Sequence, residues 1–162
     1  LGWEIRCNGM EICQYTYFQQ IGGIECNPVS VEITYGLERL AMFIQKVNNV
    51  FDIIWNIDKK EKRIIKYRDI YLESEKQFSK YNFELANTEF LFKCFEYVEN
   101  ECKELLNNNL SLPAYENCIK ASHYFNILDA RGVIGVAQRQ SYILKIRSLV
   151  KSCCELYIKQ EL

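Results

Sequence analysis

The sequence predicts an α+β fold, with strands gathered in the first third of the chain and helices after it. Three observations carry this. Asn8-Gly9 stands between two strand-like runs, "WEIRC" and "MEICQYTYFQQ", and Asn-Gly in that setting is the strongest short hairpin signal. The apolar period changes from two to about 3.6 at Leu37. From Tyr81 onward the apolar residues recur at helical spacing only. Strands and helices segregated along a chain give α+β rather than alternating α/β architecture.

Taken in order, residues 1 to about 55 read as β-rich with one helix. Gly22-Gly23 breaks the second strand. "ECNPVSVEITY" follows as a loop and a further strand, and Pro28 confines itself to a strand start or a sheet edge because it has no N–H to donate. Leu37, Leu40, Ala41, Ile44 and Val47 then form one helical face. Residues 56–80 are charged and poorly periodic and read as a connector, with "KRIIKY" as a short strand or hairpin arm. Beyond it, Phe83, Ala86, Phe90, Cys94, Phe95, Val98, Cys102 and Leu105 make one stripe, which the Asn-rich stretch at 107–109 ends. Pro113 suits the first turn of the next helix, with Ser111 as its cap and an end near Phe125. Gly132 interrupts, and a last helix carries Val133, Val136, Ala137, Ile143, Ile146, Val150, Cys153 and Tyr157. Three such helices suffice for a small bundle. The expected domains are residues 1–72 and a helical domain at 73–162.

Composition narrows the function. The chain has 162 residues, 49% of them hydrophobic, which is globular and not disordered. Net charge is −1 and no basic run stands out. That argues against a free-standing nucleic-acid binder, though not against a subunit that shares RNA with a partner. No apolar run approaches the roughly 20 residues of a membrane span. The eight cysteines include no CxxC pair, several fall at apolar helical positions, and His123 is the single histidine. This reads as reduced, buried thiols in a cytoplasmic type of compartment, without zinc. His123, in mid-helix, reads as a core or interface residue. The first residue is Leu1 and the chain opens in strand-like sequence, which reads as a protein lacking an N-terminal part.

The residues that invite chemistry lie in the first half. In "MEICQYTYFQQ", simple alternation puts Glu11, Cys13, Tyr15, Tyr17 and Gln19 on one face and Met10, Ile12, Gln14, Thr16, Phe18 and Gln20 on the other. Neither face is cleanly apolar, as a half-buried strand would be. The strand is therefore either the floor of a polar pocket or an edge strand with scattered polar residues. Glu25 and Glu32 are open to two readings, a carboxylate for an ammonium or metal and a solvated surface charge. In "EITYGLERLAMFI", Arg39 stands in the first turn of a helix, where the dipole favours Glu38 and disfavours a cation. An anion bound there would reconcile the two.

That stretch resembles motif 3 of class II aminoacyl-tRNA synthetases, a glycine followed by hydrophobic-Glu-Arg at the start of an apolar helix. The longer run "LGWEIRCNGMEICQYTYFQQIGGIECNPVSVEITYGLERLAMFIQ", with "YNFELANTEFLFKCFE", "LPAYENCIKASHYFNILDARG" and "RQSYILKIRSLVK", resembles the bacterial-type glycyl-tRNA synthetase α subunit over essentially the whole chain. The resemblance implies a class II catalytic core, an antiparallel sheet with flanking helices, followed by a helical region. It implies ATP-dependent activation of glycine and its transfer to tRNA-Gly, in the cytoplasm, by an α2β2 assembly with a second α chain and a β subunit, and no membrane.

The resemblance also assigns roles. Arg39 becomes the motif 3 arginine on the ATP triphosphate, with Glu38 in the same ATP site helping to fix the arginine or the strand before it. Glu11 becomes a carboxylate that meets ATP or its Mg²⁺. Glu32 becomes the partner of the glycine ammonium, with Gln14, Thr16, Gln19 and Trp3 lining the pocket and Tyr17 and Phe18 adding bulk. A filled pocket would exclude alanine by clash. Motifs 1 and 2 lie upstream in the family and are absent here, so this stretch alone is expected to be inactive and to expose a sheet edge. The alternatives are a non-catalytic relic or adaptor and an amino-acid sensor on the same core.

Overall fold

The computed structural model describes residues 2–161. Its element order bears out the α+β class. Packing divides the chain into two units, one of residues 1–19 and 26–78, the other of residues 20–25 and 79–162.

A three-stranded sheet is formed by β1 (Gly2–Cys7), β2 (Met10–Ile21) and β3 (Ile24–Tyr35), in the order β1-β2-β3, and all of it but residues 20–25 at the β2–β3 turn belongs to the first unit. Asn8 and Gly9 make the first turn with φ of 50° and 83°, the doubly positive φ that a tight hairpin twist needs. Gly22 and Gly23, at 60° and 80°, make the second. Pro28 lies in β3, an outer strand of this sheet. The sheet is open, and Trp3, Ile5, Val29, Val31, Ile33 and Tyr35 are all exposed.

β3 ends at Gly36, whose N–H donates to Ile12 O at 2.9 Å, and α1 (Leu37–Gln45) starts at once. The sequence placed its apolar face on Leu37, Leu40, Ala41, Ile44 and Val47. The structure half-buries Leu40 and Ala41 but leaves Leu37 and Ile44 exposed, and the helix stops before Val47 with Lys46 in the left-handed conformation.

A short 3₁₀ turn (Val50–Asp52) leads into the hairpin β4 (Ile54–Asp58) and β5 (Arg63–Lys66). α2 (Tyr67–Lys80) follows. The expected connector is therefore half helix, and the expected boundary at 72/73 falls inside α2. Sequence reading missed it because charged residues fill the turns between Tyr67, Ile70, Tyr71 and Phe78. The start is nonetheless marked, since Asp69 Oδ2 accepts the Lys66 N–H at 2.8 Å. Phe51, Trp55, Tyr67 and Tyr71 pack around this junction, Tyr67 and Tyr71 with centroids 4.5 Å apart.

The second unit is built on α3 (Thr88–Asn107), α4 (Ser111–Ala130) and α5 (Val136–Glu161), preceded by a π turn at Tyr81–Leu85. The stripe read from Phe83 is interrupted. Asn87 caps α3 by accepting the Phe90 N–H at 3.0 Å, and the buried face is Leu91, Phe95, Glu99 and Cys102, with Phe83 and Phe90 exposed. α4 runs to Ala130, past the expected end, and Ser111 is its first residue rather than its cap. The Ser111 hydroxyl donates to Gln160 Oε1 at 2.6 Å, while Gln160 Nε2 donates to Asn109 O at 2.6 Å, so the end of α5 is tied to the α3–α4 turn.

Phe95, Ala121 and Phe125 form one core cluster with Tyr142, which meets Phe95 edge-on at 4.6 Å. Cys102, Cys118 and Cys153 form another with Ala114 and Leu149. Burial pushes the Cys153 thiol up to about 12 and Cys118 to about 11, the mark of inert packing thiols. All eight cysteines are free. Inside this core, Glu99 accepts from Lys103 Nζ at 2.6 Å and Lys145 Nζ at 2.9 Å, joining α3 to α5. His123 is exposed on α4, not in the core.

Candidate active site

The site grows from the junction of β3, α1 and β2. Gly36 is the residue before α1 and offers no side-chain cap. The first intrahelical bond is Leu40 N–H to Gly36 O, so the N–H groups of Leu37, Glu38 and Arg39 have no acceptor within the helix. A Cβ on Gly36 would come within 3.2 Å of Arg39 Cδ, so the glycine makes room for the arginine stem. Arg39 reaches back to β2, where Nη1 donates to Glu11 O at 2.8 Å and stands 3.6 Å from Glu11 Oε2. The puzzle of a cation at a helix start thus has a local answer, since a carbonyl and a carboxylate from the neighbouring strand hold it.

Burial first, and then the charge of Glu38, raises the Tyr67 phenol above its usual value. Among the described residues the ion-pair partner of Arg39 is Glu11.

The β1–β2 register decides which of the other predicted residues meet. Cys7 pairs with Met10 and Arg6 with Glu11, but the register then slips by one, so that Ile5 pairs with Cys13, Glu4 with Gln14, Trp3 with Tyr15 and Gly2 with Thr16. Directly opposed residues share a face, and β1 alternates without interruption. The bulge at Ile12 therefore moves Glu11 to the face of Gln14 and Thr16, away from Cys13, Tyr15 and Tyr17. Simple alternation had grouped Glu11 with the tyrosines. It failed because one extra residue in β2 reverses the parity.

Trp3, Tyr15 and Tyr17 form a mutual cluster on the other face. Trp3 lies 5.8 Å from Tyr15 and 5.5 Å from Tyr17, and the two tyrosine rings meet edge-on at 5.2 Å. The Tyr15 hydroxyl donates to the Tyr17 hydroxyl at 3.3 Å, and that bond is the main reason its phenol is raised. Gln19 follows the same alternation as Tyr15 and Tyr17. Trp3 and Gln19 thus stand across the sheet from Gln14 and Thr16, and these four do not line one surface. Tyr15 was missed as a site neighbour because a two-residue turn without the bulge would oppose Trp3 to Gln14.

Glu32 lies exposed on β3, where the Thr34 hydroxyl donates to its Oε1. Glu25 is exposed at the hairpin, in keeping with a solvated charge. Among the described residues, no group of three or more His, Cys, Asp or Glu side chains converges as a metal cage. Glu11 offers a single carboxylate, which suits a Mg²⁺ ion whose other ligands are substrate phosphates and water. Among the same residues, no helix is long and apolar enough to cross a membrane.

The sheet thus carries a carboxylate–arginine pair at an uncapped helix start, where free N–H groups favour negative charge. The family model described as glycyl-tRNA synthetase alpha subunit matches residues 1–162. The chain belongs to that family of aminoacyl-tRNA synthetases, whose members ligate glycine to tRNA in protein biosynthesis.

Proposed function

We propose that this chain carries the glycine-activating site of a glycine–tRNA ligase. In this reading glycine and ATP form glycyl-adenylate, the glycyl group passes to tRNA-Gly, and the work is done in the cytoplasm by an α2β2 enzyme. The observation that carries it is Arg39, which leaves the uncapped start of α1 and is held against Glu11. The glycine carboxylate attacks the α-phosphate in line, and charge builds on the phosphoryl oxygens as pyrophosphate leaves. Arg39 binds the triphosphate there, and the free N–H groups at the start of α1 add fixed positive dipole. Because Glu11 orients the guanidinium beforehand, little reorganisation accompanies the reaction. Mg²⁺, when bound, neutralises phosphate charge, with Glu11 as its protein ligand. Gln14 and Thr16 share the face of Glu11 and border the same side of the sheet. Trp3 and Gln19 support the sheet from behind.

Glu32 is assigned to the glycine ammonium, which needs a hydrogen-bonded carboxylate, and Thr34 already holds that carboxylate. The test is glycine-dependent ATP–pyrophosphate exchange by the full-length α chain assembled with its β subunit. Glycine should support exchange and other amino acids should not. Glu32→Gln should raise the KM for glycine by about tenfold or more while leaving that for ATP within about twofold, since one charged contact contributes ~1.5–3 kcal/mol. Exchange without glycine preference, or an unchanged glycine KM, would remove this reading.

A further inference from the structure

The turn between β4 and β5 gathers positive charge that takes part in no ion pair among the described residues. Ile57 pairs with Ile64 and Asp58 with Arg63, so Lys59, Lys60, Glu61 and Lys62 form the tip. Asp58 Oδ1 accepts the N–H groups of Lys60 at 2.8 Å and Glu61 at 3.1 Å, so this carboxylate is built into the turn while the lysine side chains stay exposed. The five residues Lys59–Arg63 are all exposed. Ten of the twenty lysines and arginines form ion pairs among the described residues. Four of the other ten stand within this five-residue run.

We propose that the β4–β5 tip contacts the sugar-phosphate backbone of the RNA substrate. The proposal rests on the reading that this chain takes part in charging tRNA. Unpaired ammonium groups at a hairpin tip are fully hydrated and cost nothing to hold, and their natural complement is a polyanion. An acidic protein surface is the competing partner, for which the exposed Ile57–Ile64 pair beneath the tip would be suited. Four cations against two carboxylates, Asp58 and Glu61, leave a net charge of +2 at the tip, which favours the denser charge of a nucleic-acid backbone. Such contacts position the RNA without reading its sequence.

The test uses Lys59→Gln/Lys60→Gln/Lys62→Gln in the full-length α chain assembled with β. Aminoacylation should show a tRNA KM raised by about tenfold, and the log–log salt dependence of binding should become shallower by about two to three, roughly one per lost phosphate contact. Glycine-dependent exchange without RNA should stay unchanged. Exchange intact with the KM and salt slope unmoved would overturn the proposal. Absent exchange in the unmutated enzyme would instead sink the catalytic reading. A second measurement needs no variant: tRNA should shield Lys59, Lys60 and Lys62 of the unmutated enzyme from acetic anhydride. Equal labelling with and without tRNA, or shielding by the β subunit alone, would overturn it equally.

Discussion

Replacing Arg39 with alanine separates its binding role from any structural one, because the two effects differ in size. In the ground state Arg39 has one hydrogen bond, to Glu11 O at 2.8 Å, and one loose ion pair, to Glu11 Oε2 at 3.6 Å. Its side chain is 49% exposed and that of Glu11 is 31% exposed. Exposed pairs of this kind contribute ~0–1 kcal/mol, so Arg39→Ala should lower stability by no more than about 1 kcal/mol. In the transition state, one fixed donor aimed at developing negative charge is worth about 100- to 1,000-fold in rate. The expected result is therefore loss of exchange by at least about 100-fold, with thermal unfolding shifted by only a few degrees. Arg39→Lys should fall between the two, since it keeps the charge but not the planar fork. Saturating ATP should not restore the rate. Exchange within about threefold of the unmutated enzyme would refute the role. So would a melting-point collapse that accounts for the loss by unfolding.

Two other consequences concern the second unit. Glu99 is 6% exposed and held by two lysines. Burial alone would raise its carboxyl, and the Lys103 and Lys145 bonds outweigh it, so the net shift is downward. A depressed carboxylate contributes stability that is present above its unfolded value and lost as pH falls through the folded one. Glu99→Gln should thus cost about 1–3 kcal/mol at neutral pH and flatten the acid limb of a pH-dependent melting curve below about pH 4.5. An unchanged acid limb would show that another group sets it. Gly22 has φ of 60°, and a Cβ there would meet Cys154 Sγ at 2.9 Å, whereas Gly23 at 80° has open space. Gly22→Ala should destabilise by about 1 kcal/mol more than Gly23→Ala in denaturant unfolding. Equal costs would mean that the Cys154 contact yields freely.

The local elements were legible because their causes are local. Asn8-Gly9 and Gly22-Gly23 announce turns whose φ only such residues adopt cheaply, and Gly36 followed by an apolar period announces α1. The exchange of Phe90 for Leu91 on the buried face of α3 was not legible, because it depends on where Asn87 restarts the helix. Nor was α2, whose charged turns hide its tyrosines.

Residue chemistry by itself pointed to Arg39 as an anion partner and left Glu25 and Glu32 open, and the family resemblance added Glu11 and chose Glu32. Only the tertiary structure decided which of them meet. The bulge at Ile12 places Glu11 with Gln14 and Thr16 rather than with Tyr15, and pairing across strands turns Arg39 towards Glu11. The charges of "DKKEKR" sum to +2 on paper, and it takes the hairpin turn, with Asp58 bound to its own backbone N–H groups, to set the lysines together at an exposed tip. Sequence specifies what each residue can do with its neighbours along the chain. Register, bulges and long-range ion pairs are set by the packing of distant segments, and those decided the geometry of this site.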